Sequence, residues 1–267
     1  MRIIHSTILG ATWFLFSLNL MAQPAPDGPT YETGFNAATR IGTELYEALN
    51  TKVRARVHSR PVALETDVAP SVKTVEYPDD DQPLRLVFIS VGFLDLMNNL
   101  SHAKAINRVQ PGYFQKYLTS LANESGEFSL EDLPGLKDPR FWSDDVMNEQ
   151  KSDFNQMVGM VIAIELSHHY LGHFKKYAAK LDQASETQPI PINNLLTPAE
   201  WEAALKAGAR NALECGYGVD GLKALYDAIE AMPRRPAWTA YFLPSNVKVA
   251  KVKNDLDKAE KDYFQGK

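Results

Sequence analysis

The chain has 267 residues, 28 Lys and Arg against 33 Asp and Glu, a net charge of −5 and a single cysteine. Such mild acidity, with no basic cluster, argues against nucleic acid or an anionic membrane as the main partner. One cysteine excludes an internal disulfide framework and a multi-cysteine metal site.

Arg2 and His5 precede an uncharged, mostly apolar run from Thr7 to Leu20, and Leu20-Met21-Ala22 then gives way to the turn-rich Gln23-Pro24-Ala25-Pro26-Asp27-Gly28. A charged start, a short apolar stretch and a small residue at the cut read as a secretory signal over residues 1–22. The other reading is an uncleaved anchor, and against it stands a run shorter than the ~20 residues a spanning helix needs. Export without disulfides suits a bacterial periplasm or a secreted protein. No stable membrane span is expected once the signal is removed.

Past the signal, residues 23–83 read as a helical and extended N-terminal segment and 84–267 as the main domain. Phe35, Ala38, Ile41, Leu45 and Leu49 recur at helical spacing within 30–58. Val62 to Leu64 and Val72 to Val75 suit short extended segments, and Tyr77-Pro78-Asp79-Asp80-Asp81 is a turn signal. Leu84-Arg85-Leu86-Val87-Phe88-Ile89-Ser90 is the clearest strand, rich in branched and aromatic residues. Val91-Gly92 is expected to turn, with helical stretches over Phe93 to Met97, Ala103 to Arg108 and Pro111 to Ala122. Glu124 to Glu149, polar and broken by Gly and Pro, reads as a long loop.

Phe154 to Lys176 is the stretch that the rest surrounds. It is apolar nearly all round as a helix, so it is expected to be buried, yet it carries Glu165, His168, His169 and His173. Buried Glu and His must be paired, hydrogen-bonded or bound to a metal. In His-Glu-x-x-His, two histidines one turn apart hold zinc and the Glu activates the metal-bound water. Here Ile164-Glu165-Leu166-Ser167-His168 has the Glu and the second His, with Ile in the first position. His169-Tyr170-Leu171-Gly172-His173 has both histidines and Tyr in place of the Glu. Beyond a polar linker, Thr197-Pro198-Ala199-Glu200 is a capping box opening a helix to Glu214. Helical spacing resumes over Val219 to Met232 and again over Asn246 to Phe264.

Four segments in this order resemble the soluble catalytic domain of the CAAX-prenyl-endopeptidase-like zinc metallopeptidases, which include bacterial heat-shock membrane proteases and periplasmic chaperone-proteases. Val87 to Leu94 resembles the family's strand and following helix start, and Ala163 to His173 its active helix. Glu214 to Asp220 resembles the segment carrying the third zinc ligand, and Leu243-Pro244-Ser245 with Lys248 a late His-Pro-x segment followed by Arg. The resemblance covers Leu84 to Lys253, with an apparent insertion at about 99–153. It implies a mainly helical α+β fold whose metallopeptidase-like core has an active-site helix, a small sheet and a C-terminal helix. It further implies Glu165 as general base, with His168 and Glu214 as zinc ligands meeting across a cleft edged by the Leu84–Ser90 strand. Ile164, Leu243 and Lys248 depart from the pattern at the first ligand, the late His and the Arg. His169, His173 or His102 would have to supply the missing nitrogen.

The plainer reading of each residue stays open beside this one. Glu165 with His168 or His169 is a buried hydrogen-bonded pair, His173 compensates a helix dipole, and Cys215 is a small buried hydrophobe. Glu214 is then a surface helix residue, and Tyr170 and Phe174 belong to the core. Two functions follow from different classes. One is a zinc endopeptidase with an altered ligand set acting on a polypeptide substrate. The other is a pseudo-peptidase that holds a polypeptide client as a binding or chaperone-like module.

Overall fold

A computed structural model describes residues 29–57, 62–77, 83–123, 130–185 and 192–266. The signal expected over 1–22, and most of the turn expected from Tyr77 to Asp81, lie outside these residues. The described chain is a mainly helical α+β fold with one three-stranded sheet.

The sheet contains β1 (Val62–Glu65), β2 (Val72–Tyr77) and β3 (Leu84–Ser90) in the order β1-β3-β2. β3 runs parallel to β1 and antiparallel to β2. Its alternation buries Val87 and Ile89 completely on the side that faces the helices. Between β1 and β2 the chain crosses the end of β3. Ser90 ties that crossing down, its Oγ donating to the Ala69 carbonyl at 2.8 Å and accepting from the Ser71 amide at 2.9 Å.

The turn expected at Val91-Gly92 is instead the first turn of α3 (Val91–Val109), which Ser90 caps by accepting from Phe93 N at 2.9 Å. Glycine is there for space, because a Cβ at Gly92 would lie 2.1 Å from the Val68 carbonyl oxygen of the crossing loop. The two short helices expected over Phe93 to Arg108 are thus one continuous helix, and α4 (Tyr113–Leu121) follows it.

α1 (Pro29–Ala48) lays Ala38, Ile41 and Leu45 into the core. The helix expected across 30–58 divides where Asn50 caps α2 (Thr51–Arg54). α5 (Asp144–Tyr170) is longer at its start than its apolar run implied. It packs against α1, α3, the sheet and two later helices, α7 (Pro198–Glu214) and α8 (Asp220–Ala231). α6 (His173–Ser185) follows α5, and α9 (Val249–Phe264) closes the chain against α7 and α8. The expected capping box is formed, Thr197 and Glu200 bonding each other's backbone amides. One hydrophobic core runs from Ala38 in α1 to Leu256 in α9. The stretch read as an insertion, 99–153, begins inside α3 and ends inside α5.

Candidate functional site

α5 carries apolar residues all round its second half, and every residue from Met157 to His169 is buried. The helix was expected to run through His173, and it does not. Gly172 takes φ +78 and the Leu171 amide closes on the Ser167 carbonyl at 2.9 Å, ending α5 at Tyr170. A left-handed glycine just past the last turn is the usual way a helix stops. His173 therefore opens α6 and folds back towards α5, so His169 and His173 are not an i, i+4 pair on one helix.

Glu165 and His168 do come together, inside the protein. They are 3 % and 0 % exposed. The Thr74 hydroxyl of β2 makes a short hydrogen bond to Glu165 Oε2 and lies 3.1 Å from the Glu165 backbone carbonyl. Asn193, in a 3-10 turn over Ile192–Asn194, donates its Nδ2 to Glu165 Oε1 at 3.4 Å and to the Tyr241 carbonyl at 2.9 Å. Burial pushes the Glu165 carboxyl up from 4.5 to about 7, and the bonds from Thr74 and Asn193 only partly oppose this. Near it, burial with the Glu165 charge raises the Tyr226 hydroxyl.

His168 Nε2 faces Glu165 Oε1 at 3.9 Å, beyond hydrogen-bond length. The other ring nitrogen, Nδ1, meets His173 Nδ1 at 2.9 Å, so one of the two donates and the other accepts. Burial, then the neighbouring His173 and His169, hold His168 well below its ordinary 6.5, and it is neutral. His173 is lowered too, mainly by burial, with Glu200 opposing the shift and Lys176 adding to it.

The other expected site residues lie elsewhere. Ile164 is buried where α5 touches α7: a Cβ on Gly208 would come within 2.6 Å of the Ile164 amide nitrogen. Ser167 Oγ is 3.3 Å from the Ala204 carbonyl, so the two helices run antiparallel. The α7 residues opposite the motif are consequently Gly208 and Ala204. Glu214 sits six residues past Gly208, about 9 Å further along the axis. It is exposed and paired with Arg210 at 3.0 Å, and so does not join His168. His169 is buried and stacks on Phe174 with ring centroids 5.2 Å apart. His102 donates to the Phe141 carbonyl at 2.8 Å beside Trp142, near the start of α5 and away from the cluster. Leu243 is a core residue, and Lys248 is the exposed N-cap of α9.

This arrangement does not fit a zinc ion. A catalytic zinc takes three protein ligands converging on one point, with a fourth position left for water. Here Ile164 has no donor, Glu214 is exposed and paired with Arg210, and His168 Nδ1 is bonded to His173, which leaves only Nε2, without a hydrogen-bond partner, facing Glu165 at 3.9 Å. Among the described residues no group of three or more His, Cys, Asp or Glu side chains is placed to hold a metal.

Thr74 and Asn193 were not singled out from the sequence. Thr74 had a signal, being the polar member of the inward-facing row it forms with Val72 on β2. Asn193 lay in a stretch read as linker and had none. Comparison of the chain with protein-family profiles, characterised proteins and solved structures finds no match.

Proposed function

We propose that this chain is an exported, metallopeptidase-like protein that holds polypeptides without cleaving them. The observation that carries the reading is the burial of Glu165. A general base must lie within about 3 Å of the proton it takes, directly or through one water. Glu165 is 3 % exposed, and both its carboxylate oxygens are engaged by Thr74 and Asn193. The holding role comes from the resemblance of Val87–Leu94, Ala163–His173 and Glu214–Asp220 to a family that includes chaperone-proteases. Export comes from the residues of 1–22. No helix of the described residues is long and apolar enough to cross a membrane.

The test is incubation of the purified mature chain with an unfolded polypeptide, following light scattering and fragments together. Suppressed aggregation with the polypeptide intact is the expected result. A fragment ladder that disappears in Glu165→Gln would replace this reading with the endopeptidase one.

A further inference from the structure

The resemblance implies zinc, and the residues present point elsewhere. We infer that two metal-free hydrogen-bonded links, one from Glu165 to Thr74 and Asn193 and one from His168 to His173, fasten the end of α5 to β2, to the turn at Ile192–Asn194 and to α6. The inference rests on the reading of the chain as one that does not cleave, but the two fail separately. Fragments decide the first and metal content the second.

Three observations carry it. The polar groups bond to different neighbours, and among the described residues no three His, Cys, Asp or Glu side chains surround one point. Thr74 binds one carboxylate oxygen and Asn193 the other, His168 Nε2 faces the carboxylate at 3.9 Å, and His168 Nδ1 is bonded to His173 at 2.9 Å. A metal at Nδ1 would have His173 as its only companion and would have to displace the proton the two rings share. Second, the space that a first ligand would need is taken by backbone. The position opposite Ile164 is Gly208, whose missing Cβ would come 2.6 Å from the Ile164 nitrogen and 2.7 Å from its Cα. Restoring a histidine at 164 would therefore direct it against α7. Third, each connection joins a different element to α5, and Asn193 extends the chain of bonds to the carbonyl of Tyr241. Polar groups this deeply buried are costly when unpaired, so the bonds Thr74–Glu165, Asn193–Glu165 and His168–His173 fix how the elements meet, while His168 Nε2 and Asn193 Oδ1 have no hydrogen-bond partner among the described residues.

Zinc content, zinc titration and urea unfolding of the full mature chain test this. The wild type is expected to carry well under one zinc per chain, with a thermal midpoint unmoved by EDTA or by ZnCl2, and Ile164→His is expected to gain none. Thr74→Val and Asn193→Ala are each expected to lower the folding equilibrium constant roughly tenfold, the scale of one buried hydrogen bond. Their combined loss should depart from the sum, because both bond one carboxylate. Thr74→Ser keeps the hydroxyl and should restore stability, which covers the case in which Thr74→Val fails to fold. One zinc per chain in the wild type, lost in His168→Ala, would overturn the inference. So would stoichiometric zinc in Ile164→His, or full stability in both Thr74→Val and Asn193→Ala.

Discussion

Burial raises Glu165 from 4.5 to about 7 and holds His168 well below 6.5, and the two shifts act on stability in opposite directions. A carboxyl raised in the folded state contributes stability that is complete below 4.5 and is lost as pH rises through about 7. A depressed imidazole contributes stability that is complete above 6.5 and is lost as pH falls through its folded value. Between 4.5 and 6.5 the Glu165 slope is opposed by that of His168, to which the lowered His173 adds, so urea unfolding is expected to show no fall with rising pH until 6.5 and a small fall from there to about 7. Glu165→Gln removes the Glu165 slope, worth about 3 kcal/mol over the whole span from 4.5 to about 7, of which only about 0.7 kcal/mol falls above 6.5. Thr74 can accommodate the amide by donating to the Glu165 carbonyl, 3.1 Å away, and accepting from the Gln side chain. The variant should thus be level above pH 6.5. A wild-type profile that keeps rising from pH 5 to 8 would contradict this assignment. The stretch around the motif predicts a buried helix, but not which groups meet Glu165 and His168.

At the scale of elements, two glycines do opposite work around α5. Gly172 has φ +78, and a Cβ added to it would meet nothing within 4 Å, so only its backbone conformation matters. Gly172→Ala is expected to cost about 1–2 kcal/mol, the penalty of a left-handed residue with a Cβ. Gly208 lies within a helix, where Ala would be favoured by about 1 kcal/mol. Packing reverses that preference, since the new methyl would press on the Ile164 nitrogen and Cα. Overpacking of this kind costs about 1–3 kcal/mol or more, so Gly208→Ala is expected to destabilise. Ile164→Ala should not rescue it, because backbone atoms are among those struck. Equal midpoints for Gly208→Ala and wild type in urea would show that α5 and α7 can part freely. Helix starts and stops are legible where capping chemistry marks them, as at Thr197–Glu200. The stop at Gly172 is hidden in the sequence because His173 continues the apparent spacing.

Over the whole molecule, the described residues between 29 and 77 contribute to the core. Ala38, Ile41 and Leu45 are fully buried in α1, and β3 has both of its neighbours, β1 and β2, in that segment. A chain starting at Leu84 would leave β3 with no partner strand and expose the α1-facing side of α5. It is expected to show no cooperative thermal transition by circular dichroism, whereas a chain starting at Gln23 should melt in one step. Cooperative melting of the truncated chain would show that 84–267 folds without the residues before it.

By itself, the sequence determined the mainly helical α+β class, the β3 strand, the capped start of α7, and the burial of a helix carrying Glu165 and His168. Those follow from local chemistry: branched residues favour strands, capping side chains satisfy free amides, and apolar residues on every face leave a helix no solvent side. Only the tertiary structure decided which groups that helix meets. The antiparallel register of α5 and α7 sets Gly208, not Glu214, opposite Ile164, and the sheet order brings Thr74 to Glu165. Neither could be read along the chain, because spacing within one helix fixes which of its side chains share a face and says nothing about what is packed against that face.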